Sequence, residues 1–298
     1  MLKGVNDNKL LYGGEMTTEL VYFANLWETR GLPSVSRTPK IWDLRAEAWI
    51  RDLDKSGTGK RGMRERARHT ANYLRSCGLL CENDTVVDVG CGPGLFVLEF
   101  AETAKSACGI DYSRRFLDYG AKLAQRQGVK NASFKQCDFF ALDVEKAGLA
   151  RKFDLVYTAI TPAATGKGCL EKLMEMSRAY CSSTFLVHSS DSMAERVAVD
   201  VFHKKLPPHD GTGFYALVNL LWHRGYYPET SYYNEAFEEI CVPDMKTAAD
   251  CARACGRSGE EDAREVLRYL EKLGNKTNRR RAFRYGAVLW DTRIHDAR

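Results

Sequence analysis

Residues 85–94 read TVVDVGCGPG. A short β-branched run ends at Asp88, a glycine-rich turn follows at Gly90, Gly92 and Gly94, and the apolar stretch LFVLEFAETA (95–104) has helical character. Strand, glycine turn and helix in that order let backbone N–H groups approach a nucleotide-like ligand closely. A second apolar run, SACGID (106–111), ends in Asp111, 21 positions beyond Gly90. A carboxylate at that place can hold ribose hydroxyls.

Outward from this unit the chain alternates strand and helix. Strands are expected at 85–89, 106–111, 132–138, 153–160 and 184–189, with helices near 94–104, 113–127 and 168–180. Such alternation implies right-handed crossovers and a parallel sheet covered on both faces. Before it, TTELVYFANLWETRG, PKIWDLRAEAWIRDLDK and a segment near 62–78 read as three helices, with breaks at Gly31, Pro33 and Pro39 and at Gly57, Gly59 and Gly62. After it, 191–206 and FYALVNLLWHRGYYPE read as helices, TSYYNEAFEEICVP as a strand, 243–273 as two helices, and RAFRYGAVLWDTR as a last strand. The expected fold is therefore α/β: a mostly parallel seven-stranded sheet with helices on both faces, plus an N-terminal helical cap. The expected division is a cap over 1–80 and a core over 81–298, with helical insertions near 191–225 and 243–273.

Bulk properties narrow the class. The 298 residues suffice for one large α/β domain or a core with a cap. No apolar run approaches the roughly 18–20 residues that span a bilayer, and MLKGVNDNKLLYGGE lacks the apolar stretch of a signal peptide. A cytoplasmic protein without a membrane partner is expected. Ten cysteines, several beside apolar residues, read as buried free thiols rather than a disulfide framework. Cys251 and Cys255 are four apart on an expected helix, but no second Cys or His pair stands beside them at zinc-ligand spacing, and no metal is expected. The net charge of +5 is mild, and basic residues concentrate in KRGMRERARH (60–69) and NRRRAFR (278–284). A solvated helix face and a loop explain both clusters without a nucleic-acid partner.

The glycine turn is open to two readings. A dinucleotide-binding dehydrogenase wants a third glycine three residues after the second, and Leu95 stands there. DVGCGPG (88–94), GIDYS (109–113), CDFF (137–140) and FDLVYTAITPA (153–163) each fall at the C-terminal end of an expected parallel strand, where open α/β sheets bind ligands. With these four elements the chain resembles the class I, seven-stranded Rossmann-like S-adenosylmethionine-dependent methyltransferases, well over 85–190 and loosely beyond.

The resemblance implies roles. Asp88, Gly90, Cys91, Gly92 and Gly94 would face the methionine part of the cofactor. Asp111 would bind the ribose hydroxyls, Tyr112 would lie along the adenine, and Asp138 would accept from the adenine amino group with Phe139 against the ring. Thr158 and Ala159 would line the floor beside the sulfonium, and Trp42 would cover the cofactor from the helix before the core. Each residue also has a plainer use: Asp111 could cap the helix after it, Asp138 could be a solvated loop acid, and Phe139 or Phe140 could be core.

The implied reaction is an in-line displacement at an activated methyl group, yielding S-adenosylhomocysteine. The protein's main contribution is then alignment. A base is needed only for a protonated nucleophile, and His188 near the end of the fifth strand is the candidate. No Asp-Pro-Pro-Tyr or Asn-Pro-Pro-Tyr follows the fourth strand, where TPAA (161–164) stands, and no Pro-Cys occurs. A small-molecule acceptor is expected. RNA or protein methylation, suggested by the two basic segments, and a non-catalytic cofactor-binding module are the alternatives.

Overall fold

The computed structural model describes residues 17–29, 38–55 and 59–294. The N-terminal stretch 1–15, the breaks at Gly31, Pro33 and Gly57, and the side chains of Lys60 and Arg61 lie outside what it describes. Three helices come first: α1 (Thr18–Glu28), α2 (Pro39–Lys55) and α3 (Gly59–Ser76). Gly62 lies inside α3 and does not break it. Then follow β1 (Thr85–Val89), α4 (Leu95–Ala101), β2 (Ser106–Asp111), α5 (Arg114–Arg126), β3 (Ala132–Gln136), β4 (Phe153–Ala159), α6 (Cys169–Met176) and β5 (Ser177–Asp191). The chain continues through α7 (Ser192–Asp200), α8 (Thr212–His223), β6 (Glu229–Cys241), α9 (Met245–Ala254), α10 (Glu260–Leu273) and β7 (Thr277–Asp291).

The strands form one seven-stranded sheet in the order β3-β2-β1-β4-β5-β7-β6. β1 pairs in parallel with β2 (Val87 opposite Cys108) and with β4 (Val87 opposite Val156); β2–β3 and β4–β5 are parallel too. Beyond the end of β7, the Thr292 N–H donates to the Ala179 carbonyl at 2.7 Å near the start of β5, so β7 runs antiparallel to β5. The order reverses between β1 and β4, and at such a switch point the two following loops diverge and leave a crevice.

β1 and β4 are buried on both sides, which accounts for their near-continuous apolar sequence. On one face Val86, Ala107, Leu155 and Tyr157 pack with Leu74 of α3 and Val97 and Phe100 of α4. On the other, Val87, Ile110 and Val156 pack with Trp27 of α1, Leu170 and Leu173 of α6, and Leu217 and Leu221 of α8. The side chains at 86 and 87, and at 155 and 156, alternate between the two layers as the pleat requires.

Residues 177–180, expected at the end of a helix, begin β5. Ser177 and Tyr180 pair with Phe153 and Leu155 across an irregularity in register, and those ladder bonds override the local helical tendency of SRAY.

The chain divides into two compact units: 1–185 with 212–231 and 287–298, and 186–211 with 232–286. α1–α3 belong to the first. The second has its own core, in which Met193 and Val197 of α7, Ala248, Cys251 and Ala252 of α9, and Val266 and Leu270 of α10 are buried.

Candidate cofactor site at the ends of β1, β2 and β4

β1 ends in a turn whose backbone is fixed by the neighbouring strand. Gly90 and Cys91 donate their N–H groups to the Ile110 carbonyl at 2.7 and 3.1 Å. Gly90 adopts φ +74° and lies against Thr161, the residue that caps a short 3-10 turn (Pro162–Ala164) after β4 by accepting from the Ala163 N–H at 3.1 Å. Gly92 has φ +51°, and nothing lies within 4 Å of the place its β-carbon would take. A side chain there would project into open space at the mouth of the crevice.

Asp111, at the end of β2, closes over this turn. One carboxylate oxygen accepts from the Gly92 N–H at 2.8 Å and the other from the Ser113 N–H at 2.8 Å. The helix cap itself is Ser113, whose hydroxyl accepts from the Phe116 N–H. Asp111 is thus pinned by two backbone donors and retains lone pairs, since a carboxylate offers about four acceptor sites. Burial raises its pKa, while the N–H groups of Ser113, Gly92 and Tyr112 oppose that rise.

Asp88 is 1% exposed, and neither carboxyl oxygen has a hydrogen-bond partner among the described residues. Burial first, and then the charge of Asp111, push it well above the carboxylate range. An orphaned buried carboxyl of this kind costs free energy until a donor or cation meets it. The open mouth at Gly92, the pinned carboxylate and the orphaned one together fit a ligand with a diol and a cationic end. Cys91 is buried, and its thiol is pushed up by burial and by Asp111 and Asp88.

The other expected residues fall in three groups. Tyr112 donates its hydroxyl to the Asp138 carboxylate, and burial with that neighbour raises the phenol's pKa. Asp138 also accepts from the Phe140 and Ala141 N–H groups at 3.0 and 3.4 Å, so it both shapes its turn and meets Tyr112. Phe139 is a core side chain at 3% exposure and presents no face to open space; Phe140 on the same turn is half-buried. Thr158 is buried and Ala159 half-buried at the end of β4. Trp42 is half-buried on α2, with the Arg45 guanidinium 4.7 Å from its ring centroid. His188 is exposed on β5 and belongs to the second compact unit, whereas the residues described above belong to the first.

Three participants escape sequence reading. Lys172 of α6 donates to the Phe139 and Phe140 carbonyls at 3.2 and 2.7 Å and so pins the turn that carries Asp138. Ile160, β-branched and exposed, takes φ +46° directly after β4, a strained geometry of the sort that clusters at ligand sites. Asp43 of α2 accepts from the Ser113 hydroxyl at 2.6 Å. Asp43 and Lys172 have no local sequence signal, because each acts on a chain segment tens of residues away.

The basic run on β7 is largely spent inside its own unit. Arg279 pairs with Asp191 and lies 3.9 Å from Glu239; Arg281 pairs with Glu239 at 3.0 Å, Arg280 lies 3.9 Å from Glu238, and Arg284 donates to the Asn234 side chain at 2.8 Å. Cys251 and Cys255 are buried, and burial pushes the Cys251 thiol up to about 12. Among the described residues no group of three or more His, Cys, Asp or Glu side chains could hold a metal ion, and no helix is long and apolar enough to cross a membrane.

Residues 80–206 match the family model of a methyltransferase domain. Over 121 residues the chain is 29% identical to EEF1A lysine methyltransferase 2 of Danio rerio, covering 39% of this chain and 51% of that protein. Over 145 residues it is 26% identical to the 23S rRNA (uracil(1939)-C(5))-methyltransferase of Haemophilus influenzae, covering 44% and 32%. The chain thus spans about half, or less, of the curated relatives it matches. Among solved structures, magnesium protoporphyrin IX methyltransferase from Synechocystis PCC 6803, with bound SAH, aligns at 16% identity and a TM-score of 0.47, covering 62% of this chain and 86% of that one. Residues 80–206 thus carry a methyltransferase domain, seated on a parallel β3-β2-β1-β4-β5 run that an antiparallel β7 follows.

Proposed function

We propose that this chain binds S-adenosylmethionine in the crevice beyond β1, β2 and β4 and transfers its methyl group to a small-molecule acceptor. The observation that carries the reading is the hydrogen bond from the Gly92 N–H to Asp111, which holds a carboxylate across a turn that is open to a ligand. In this reading Asp111 takes the ribose hydroxyls by charge-assisted hydrogen bonds. Asp88, Gly90, Cys91, Gly92 and Gly94 surround the methionine end, where the orphaned Asp88 carboxyl gains a cationic neighbour. Tyr112 and Asp138 flank the adenine with Phe139 packed behind them, Thr158 and Ala159 form the floor, and Trp42 covers the nucleoside.

When bound, S-adenosylmethionine supplies a methyl group already activated on a sulfonium. The chain's own task is to orient: the two backbone donors on Asp111 and the Lys172 clamp on the adenine turn fix the ligand's position, and such alignment lowers the barrier by several kcal/mol. The small-molecule assignment draws on the paired arginines of β7 and on TPAA after β4 in place of an amino-group nucleic-acid motif. All ten cysteines are free thiols, which supports a cytoplasmic setting.

The similarity to EEF1A lysine methyltransferase 2 favours a second reading, methylation of a protein. One experiment separates them. Purified protein is given S-adenosylmethionine carrying a labelled methyl group and a cell extract split into low-mass, RNA and protein fractions. Label in low-mass compounds is expected. Label in protein or RNA moves the assignment there, and tight S-adenosylhomocysteine binding with no labelled product marks a non-catalytic module.

A further inference from the structure

The helix α2 is tied to the turn that presents Asp111. One oxygen of Asp43 accepts from the Ser113 hydroxyl at 2.6 Å and from the Arg115 backbone N–H at 3.3 Å. Ser113 is fully buried, accepts from the Phe116 N–H at 3.3 Å, and gives its own N–H to Asp111 at 2.8 Å. A turn further along α2, Glu47 pairs with the Arg115 guanidinium, and Trp49 meets Phe116 edge-on at 6.1 Å between ring centroids. Positions 43 and 47 share a helix face, so both carboxylates address α5 together.

The chemistry at this junction is specific. The first N–H groups of a helix have no partner within it. Ser113 satisfies the one on Phe116; Asp43 satisfies the one on Arg115 and sets a negative charge at the positive end of α5. A serine hydroxyl has a single proton, and here it goes to Asp43, which leaves the oxygen's lone pairs facing Phe116. Removing Asp43 frees that proton, loosens the cap, and lets the Ser113 N–H drift from Asp111. Misplacing a positioned group by about 1 Å can cost on the order of a hundredfold.

We propose that Asp43 is a positioning residue for cofactor binding: acting through Ser113, it holds Asp111 in its ribose-binding orientation and couples the docking of α2 to ligand capture. This rests on the proposal that the Gly92–Asp111 mouth takes an adenosyl ligand. Arg45 stacks on Trp42 from this same helix, so α2 carries both the latch and the aromatic assigned to cover the nucleoside.

The test uses the full chain, with S-adenosylhomocysteine as probe, in wild type, Asp43→Ala and Asp43→Asn. Titration calorimetry gives affinity, and amide hydrogen exchange follows 39–55 and, as a control for the core, 85–89. Asp43→Ala should bind about tenfold more weakly, a change of roughly 1.4 kcal/mol. Its ligand-free α2 should exchange faster while β1 exchange stays at the wild-type rate. Asp43→Asn keeps an oxygen acceptor and should stay within about threefold of wild type. Wild-type affinity in Asp43→Ala would overturn the proposal. So would equal losses in both variants accompanied by faster β1 exchange, since that pattern reports general damage. If wild type itself gives no binding heat, the adenosyl reading fails and Asp43's role in it falls too. Faster α2 exchange in ligand-free Asp43→Ala would then still establish the mechanical tie, so the two failures are distinguishable.

Discussion

Gly90 and Thr161 approach so closely that a β-carbon at position 90 would stand 2.1 Å from the threonine hydroxyl oxygen. The loops after β1 and β4 can meet at the switch point only because position 90 has no side chain, and its φ of +74° points to glycine as well. Gly90→Ala should therefore destabilise the fold by about 1–3 kcal/mol through strain and overpacking. Adding Thr161→Gly should recover part of that loss. Urea midpoints of the four proteins in this cycle test it, and strictly additive losses would show that the two residues do not clash.

Asp111→Ala removes the acceptor assigned to the ribose. Affinity for S-adenosylhomocysteine should fall by roughly 1.5–3 kcal/mol, the range for hydrogen bonds to a charged group. Calorimetry at fixed pH reads this directly, and an unchanged dissociation constant would remove Asp111 from the site.

Asp88 ties stability to pH. Its folded carboxyl is raised far above the ordinary value of 3.8 by burial and by Asp111. Below 3.8 the folded and unfolded chains both carry the proton, and no stability is lost. As pH rises above 3.8, the unfolded chain sheds the proton while the folded chain keeps it, so stability declines until the folded carboxyl itself ionises. Asp88→Asn stays neutral throughout. Its stability advantage over wild type should widen from about pH 4 to neutrality in denaturant titrations, and parallel curves would contradict the raised carboxyl.

Arg279 and Asp191 form an ion pair whose side chains are only 11% and 21% exposed. Arg279→Ala leaves that carboxylate half-buried and short of a cation, and should cost about 3 kcal/mol. Arg280→Ala, at an exposed pair, should cost less than about 1 kcal/mol. Thermal melts of the two variants check the contrast. Weak, salt-independent RNA binding in both would agree with these arginines serving the fold.

Much of the arrangement is legible in local patterns. TVVDVGCGPG and SACGID each carry strand periodicity, the first closing in turn glycines and the second in a carboxylate, so β1, β2 and the turn after β1 follow from short-range rules; the bond from Gly92 to Asp111 joins residues 19 apart, beside the parallel pairing of β1 with β2. The cap on α5 is less direct: the expected rival use of Asp111 as the cap falls to Ser113, two residues on. CDFF names two aromatics, and local sequence does not say which one turns inward. Packing against the core takes Phe139.

The sequence by itself determined the alternation of elements, the parallel sheet and the glycine turn, because backbone conformational limits and hydrophobic periodicity act over a few residues. Only the tertiary structure decided that β5 starts at Ser177, that Arg279 and Arg281 pair with Asp191 and Glu239, and that Asp43 and Lys172 bond to the turns at Ser113 and Phe139–Phe140. Those outcomes depend on groups far apart in the chain. Their pairing is set by which buried donors and charges find partners when the core closes, and no short window of sequence contains both members of a pair.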